Sequence, residues 1–192
     1  CDVTTLGKVD AQGTDAAEFL NRIYANPFAK LAVGRVRYGL MLREDGMVMD
    51  DGTAARLADD HYVVTTTTAN AVGVYRHMEF CRQCLWPELD VQVISTTEAW
   101  AQFSVAGPNA RALLAQDPEQ DMSNEACPSM ACGPITVCGG LRARLFDRCK
   151  AFMFAGAGLS QAVWDKLDAH GERATGERVR MMTGEYAHGV IP

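Results

Sequence analysis

Between residues 35 and 51 the chain reads RVRYGLMLREDGMVMDD. Val36, Tyr38, Leu40 and Leu42 recur at every second position, Glu44-Asp45-Gly46 interrupts, and Met47, Val48 and Met49 return. A period of two on both sides of a Gly-bearing turn predicts a β-hairpin, because side chains alternate between the faces of a strand. Similar patterning predicts strands over 3–10, 61–68, 89–96 and 99–107, and a second hairpin over 135–146 that turns at Gly139-Gly140. The 61–68 segment, HYVVTTTT, is rich in β-branched residues, which suit a pleated surface.

Helical spacing appears between these runs. Phe19, Leu20, Ile23 and Tyr24 form an apolar stripe in 13–26, with Asp15 and Glu18 spaced as a capping pair and Asn26-Pro27 as the stop. Val74, Met78 and Cys81 share one side of a helix predicted over 69–86, which Trp86-Pro87 ends while packing on the core. A short helix is expected over 109–116, with Pro108 opening it, and an amphipathic helix over 158–172. Residues 117–133 are polar and turn-rich and read as a surface loop. Strands joined by short turns pair antiparallel. The expected class is therefore α+β, antiparallel sheets with flanking helices, as one domain over 1–192.

Composition narrows the function. With 48% apolar and 22% charged residues, the 192-residue chain has the balance of a folded globular protein. A net charge of -6 gives no basic surface for nucleic acid. No run of about 18 apolar residues could span a membrane. The start, CDVTTLGKVDAQG, lacks a basic and an apolar signal region. It also opens without Met, and Pro192 follows directly on the strand-like YAHGVI, so a fragment with both ends incomplete is expected. Seven irregularly spaced cysteines fit a reduced, cytoplasmic compartment. Cys81-x-x-Cys84 and the Cys127/Cys132 pair are poorly matched for zinc, so no metal is expected.

The candidate chemistry lies in Asp50-Asp51-Gly52. Alternation puts the two carboxylates on opposite faces of a strand end. On these residues alone two readings stay open. One is a solvated turn cluster. The other is a carboxylate at the mouth of an apolar pocket, able to bind a nitrogen-bearing ligand.

Longer runs add a resemblance. DVTTLGKVDAQGTDAAEFLNRIY, RYGLMLREDGMVMDDGTAARL, HYVVTTTTANA and LWPELDVQVISTTEAWAQFSVAGPNARALL span residues 2 to about 116. They resemble the folate-binding, aminomethyltransferase-like domain of the heterotetrameric sarcosine oxidase alpha subunit, a relative of the glycine-cleavage T protein and of dimethylglycine oxidase. The resemblance implies a T protein-like folate-binding fold, here truncated before the family's C-terminal barrel. It implies capture on tetrahydrofolate of the methylene unit released by oxidative demethylation of sarcosine, giving 5,10-methylenetetrahydrofolate. It also implies other sarcosine oxidase subunits as partners, with FAD, FMN and NAD elsewhere in the complex. Matched to the family's G-x-x-x-[DS]-D segment from Gly46, the aspartate near the reactive nitrogen is Asp51. It is expected to turn inward beside Met47 and Met49. Tyr38, Met41 and Met49 are candidate walls, and Arg56, Arg35 and Arg37 candidates for the anionic folate tail.

Past residue 118 the resemblance thins. The family's pterin-gripping glutamate belongs to a Gly-Glu motif, yet after Phe146 the chain reads DRCKAFMFAGAGLSQAVW. The late Thr183-Gly184-Glu185 is out of register. The alternative is therefore a non-catalytic folate- or subunit-binding module of a multi-subunit flavoenzyme.

Overall fold

The computed structural model describes residues 1–116, 121–137, 141–146 and 151–155. The chain divides into two compact units, Leu6–Thr97 and the described part of Cys1–Thr5 with Glu98–Pro192.

The first unit is built on a five-stranded antiparallel sheet. Its strands are β1 (Gly7–Gln12), β2 (Arg35–Leu42), β3 (Val48–Ala58), β4 (His61–Thr66) and β5 (Gln92–Ser95), in the order β2-β3-β4-β1-β5. Helices α1 (Ala16–Ile23) and α2 (Ala71–Phe80) pack on it, and Phe28, Leu31 and Val91 from the connecting segments add to the core. Phe19, Leu20 and Ile23 of α1 and Val74 and Met78 of α2 pack with Val9, Ala11, Met41, Ala54, Tyr62, Val64 and Val93 of the strands. Each large side chain buried this way is worth about 1.5–3 kcal/mol. The other sheet face carries Lys8, wholly buried, whose Nζ donates to the carbonyls of Leu6 at 2.8 Å and Thr97 at 3.4 Å.

The helical stripes fall where spacing put them, but the caps differ. Asp15 makes no side-chain cap; its Oδ2 accepts the Asp90 N–H at 2.8 Å. Beyond α2 a π-helical turn, Cys81–Leu85, closes with the Trp86 N–H donating to the Cys81 carbonyl at 2.8 Å. Pro87 then bars a further helical residue. Trp86 stacks edge-on against Phe19 at 6.1 Å, under the Arg22 guanidinium.

The second unit holds a four-stranded antiparallel sheet: β6 (Trp100–Ser104), β7 (Cys132–Val137), β8 (Leu141–Phe146) and β9 (Ala151–Ala155), ordered β6-β9-β8-β7. Helix α3 (Ala110–Leu114) is shorter than expected, and Pro108 precedes its N-cap Asn109 instead of occupying the first turn. The expected surface loop is anchored: Met122 and Cys127 are buried in this unit's core with Phe103, Ile135 and Leu145. Arg111 fastens it by donating to the carbonyls of Met122, Ser123 and Cys127. Sequence patterning missed β9, which pairs with both β6 and β8. The turn at Gly139-Gly140 and the helix expected over 158–172 lie outside the described residues.

Both units bear out the α+β reading, antiparallel sheets with few helices. Among the described residues no helix is long and apolar enough to cross a membrane.

Candidate functional site

The β2–β3 hairpin is the expected one, and its turn shows why Gly46 is there. Gly46 takes a φ of 81°, a left-handed value costly for residues with a Cβ, and its N–H donates to the Arg43 carbonyl. Asp45 Oδ1 accepts the Met47 N–H at 2.9 Å.

The returning strand departs from simple alternation. Leu42 is paired with Val48 and Met41 with Asp50, so Met49 is an extra residue on β3. Met49 and Asp50 together oppose Met41, the arrangement of a β-bulge. The bulge resets the phase of everything after it. Met47 and Val48, ahead of it, are 60% and 53% exposed. Met49 packs against the core of the first unit, and Asp50 is buried. Asp51 is therefore on the opposite face from the core. The expectation of an inward Asp51 is corrected: the inward carboxylate is Asp50, because the bulge inserts one residue into the count.

Asp50 is held on three sides. Its Oδ1 accepts from Thr67 Oγ1 at 2.6 Å and from Asn70 Nδ2 at 3.3 Å, and its Oδ2 accepts the Thr67 N–H at 3.2 Å. Asn70 Nδ2 also donates to the Met49 carbonyl at 3.0 Å. Nearby, burial first and then the charge of Asp50 push the buried Tyr24 phenol well above its ordinary range. Thr67 and Asn70 were not among the sequence candidates. The signal was the polar run TTTTAN, which ends β4 and leads into α2; Asn70 occupies the N-cap position, but gives its amide to Asp50 and Met49 instead of capping.

Asp51 is half-buried and pairs across the hairpin with Leu40. Tyr38, whose own partner is Thr53, lies on the diagonal from it, within reach on one sheet face. The Tyr38 hydroxyl donates to Asp51 Oδ2. That bond, helped by partial burial and the charges of Asp51 and Asp50, pushes the Tyr38 phenol up to about 12. The phenol thus stays a donor at neutral pH. Tyr38, Leu40 and Leu42 alternate along β2, all exposed, and form an apolar strip beside the carboxylate. Thr53 and Thr65 link their hydroxyls at 2.8 Å on the neighbouring strands.

The structure brings together Asp51 and Tyr38, and not the other candidates. Met41 is fully buried, and Met49 belongs to the bulge. Arg56 is five residues past Asp51, an odd step that takes it to the other face. Its guanidinium donates to the carbonyls of Leu31 at 2.7 Å and Asp59 at 2.8 Å, and lies 5.4 Å from the Tyr62 ring. Arg37 donates to the Pro27 carbonyl.

The residues after Asp51 are fitted to its position. Gly52 lies so close to β4 that a Cβ would stand 1.9 Å from the Thr65 carbonyl oxygen. On the β2 side, Asn26 Oδ1 accepts the Leu40 N–H at 3.0 Å and the Leu40 carbonyl accepts the Ala25 N–H at 2.9 Å, which closes the sheet edge beside the site.

Comparison with known proteins gives a family and a fold. The GCVT N-terminal domain family matches residues 1–148. The sarcosine oxidase subunit alpha of Rhizobium meliloti (strain 1021) is 54% identical over 140 residues, 73% of this chain and 14% of that protein. That of Corynebacterium sp. (strain P-1) is 48% identical over 145 residues, 75% of this chain and 15% of that protein. An aminomethyltransferase of Lysinibacillus sphaericus (strain C3-41) is 33% identical over 64% of the chain and 32% of its own length. The chain thus spans about a seventh of the alpha subunits it matches. Two solved structures share the fold. The glycine cleavage system aminomethyltransferase T from Bartonella henselae has a TM-score of 0.67 at 20% identity, over 88% of this chain and 45% of that one. A chain of the heterotetrameric sarcosine oxidase from Corynebacterium sp. U-96, in complex with pyrrole 2-carboxylate, has 0.59 at 14% identity, over 92% and 85%. On the family match over residues 1–148, this chain belongs to the GCVT N-terminal domain family.

Proposed function

We propose that this chain is the folate-binding, one-carbon-capturing part of a sarcosine oxidase alpha subunit. It would bind tetrahydrofolate and accept the methylene unit released from sarcosine, forming 5,10-methylenetetrahydrofolate. The observation that carries the reading is the Asp51–Tyr38 pair on an exposed apolar strip. A flat, nitrogen-bearing heterocycle suits such a surface: its faces lie against Tyr38, Leu40 and Leu42, and its N–H groups reach a carboxylate.

Tetrahydrofolate supplies two amine nitrogens able to hold a methylene unit between them. This chain's residues would do the rest. Tyr38 occupies Oδ2 of Asp51 and fixes the direction of the carboxylate. The other oxygen accepts an N–H, opposes positive charge developing at the nitrogen, and takes up the proton released there. Confinement beside the strip contributes through proximity. Arg56 and Met49 hold the loop and the bulge in this reading. Amine oxidation, with FAD, FMN and NAD, belongs to the other sarcosine oxidase subunits and to the remainder of a cytoplasmic complex.

The lack of a Gly-Glu pair in the run DRCKAFMFAGAGLSQAVW directly after Phe146, where the family's motif belongs, supports the second reading, a folate- or subunit-binding module without catalysis. Titrating folinic acid against tryptophan fluorescence, in the full-length protein carrying this chain, tests binding. A saturable change is expected, weakened about tenfold (roughly 1.4 kcal/mol) by Tyr38→Ala. No saturable change would remove both folate readings. Saturable binding without methylene capture would leave the second.

A further inference from the structure

The two adjacent aspartates have different environments, and the buried one is not explained by folate contact. Asp50 faces the core, away from Tyr38 and Asp51. A buried carboxylate is expensive unless it is hydrogen-bonded, and Asp50 is bonded by Thr67 twice and by Asn70. All of these partners come from the segment joining β4 to α2, and one of them, Asn70, also grips the Met49 carbonyl. The bonds therefore converge on the two residues that form the bulge.

A bulge has an alternative. If β3 slipped by one residue and paired regularly with β2, every side chain after it would change face, because alternation has a period of two. Asp51 would then turn toward the core and Asp50 toward Tyr38. What opposes the slip is the set of bonds that only an inward Asp50 can make. Gly52 works in the same direction, since the close approach of Thr65 leaves no room there for a side chain.

We propose that Asp50 is a positioning residue: its carboxylate, pinned by Thr67 and Asn70, locks the bulge at Met49 and so holds Asp51 on the outer face against Tyr38. The proposal rests on the folate reading of that outer face. Asp50 touches no ligand in it and acts through Asp51.

The test uses the full-length protein carrying this chain, assembled with its partners and supplied with sarcosine and tetrahydrofolate. Sarcosine turnover, the fraction of released one-carbon units captured as methylenetetrahydrofolate, and the Kd for folinic acid are read for each variant. Asp50→Ala is expected to lower the captured fraction about tenfold and to raise the Kd, while sarcosine turnover continues. Asp50→Asn keeps an oxygen for the Thr67 N–H and is expected to restore most of the capture. Thr67→Val, which removes only the hydroxyl bond, should fall between them, and it carries the test if Asp50→Ala does not fold. A purely structural role would scale turnover and captured product down together, with captured fraction and Kd unchanged, and that result would overturn the proposal. Asp51→Ala separates the two levels. If it too leaves capture intact, the folate reading falls and the positioning role with it; if it abolishes capture while Asp50→Ala and Thr67→Val do not, the positioning role alone falls.

Discussion

Tyr38 and Asp51 stand diagonally across the β2–β3 hairpin, and the phenol's proton is what joins them. With the phenol raised from its ordinary value near 10 to about 12, the folded state holds this proton more tightly than the unfolded chain does. The stability it contributes is complete below the ordinary value and is lost as pH rises through the folded one. A tyrosinate absorbance titration, wild type minus Tyr38→Phe, is therefore expected to develop only above about pH 11. A difference centred near the ordinary phenol value would show that the bond to Asp51 does not form in solution. At this scale the sequence was informative about residue type and ambiguous about direction. Tyr38 and Asp51 could be picked out from their spacing and family resemblance. Which of two adjacent carboxylates points inward depended on Met49, whose side chain gives no sign that it is a bulge. Arg56 shows the same limit: a cation near the site in sequence, it is committed to carbonyls and to the Tyr62 ring at the far end of its strand.

The hairpin's shape is set by close approaches that side-chain patterning does not record. Gly39 faces the Phe28 and Tyr24 rings, and a Cβ there would come within 2.8 Å of Phe28. At Gly52 the obstacle is backbone, the Thr65 carbonyl, which cannot rotate away as a ring can. Gly52→Ala is expected to destabilise the protein by about 3 kcal/mol, at the upper end for overpacking, measured as a shift in the denaturation midpoint with unchanged slope. A loss under about 0.5 kcal/mol, the range of an inconsequential surface change, would mean β3 and β4 are not so closely apposed. The elements themselves were legible because their periods are strong: α1 buries Phe19, Leu20 and Ile23, and α2 buries Val74 and Met78, as the spacing required. The π-helical turn after α2 and the strand β9 were not. AFMFA is short and lacks clean alternation, so its strand character comes from pairing with β6 and β8. Over its described residues the 117–133 segment is the expected loop up to Cys132, where β7 begins; its polar average hid only the two side chains that anchor it, Met122 and Cys127.

For the molecule as a whole, the family is settled by the match over residues 1–148, and the chain covers about a seventh of its alpha-subunit relatives. Each unit has its own sheet and its own apolar core. The first carries the whole of the proposed carboxylate site, latch included, on β2, β3 and the segment after β4. Asp51→Ala in the assembled full-length enzyme, turning over sarcosine with tetrahydrofolate present, is the most direct measurement. If Asp51 receives the proton of methylene capture, oxidation continues, capture slows by about two orders of magnitude, and free formaldehyde replaces methylenetetrahydrofolate as the product. Undiminished methylenetetrahydrofolate from Asp51→Ala would contradict the account.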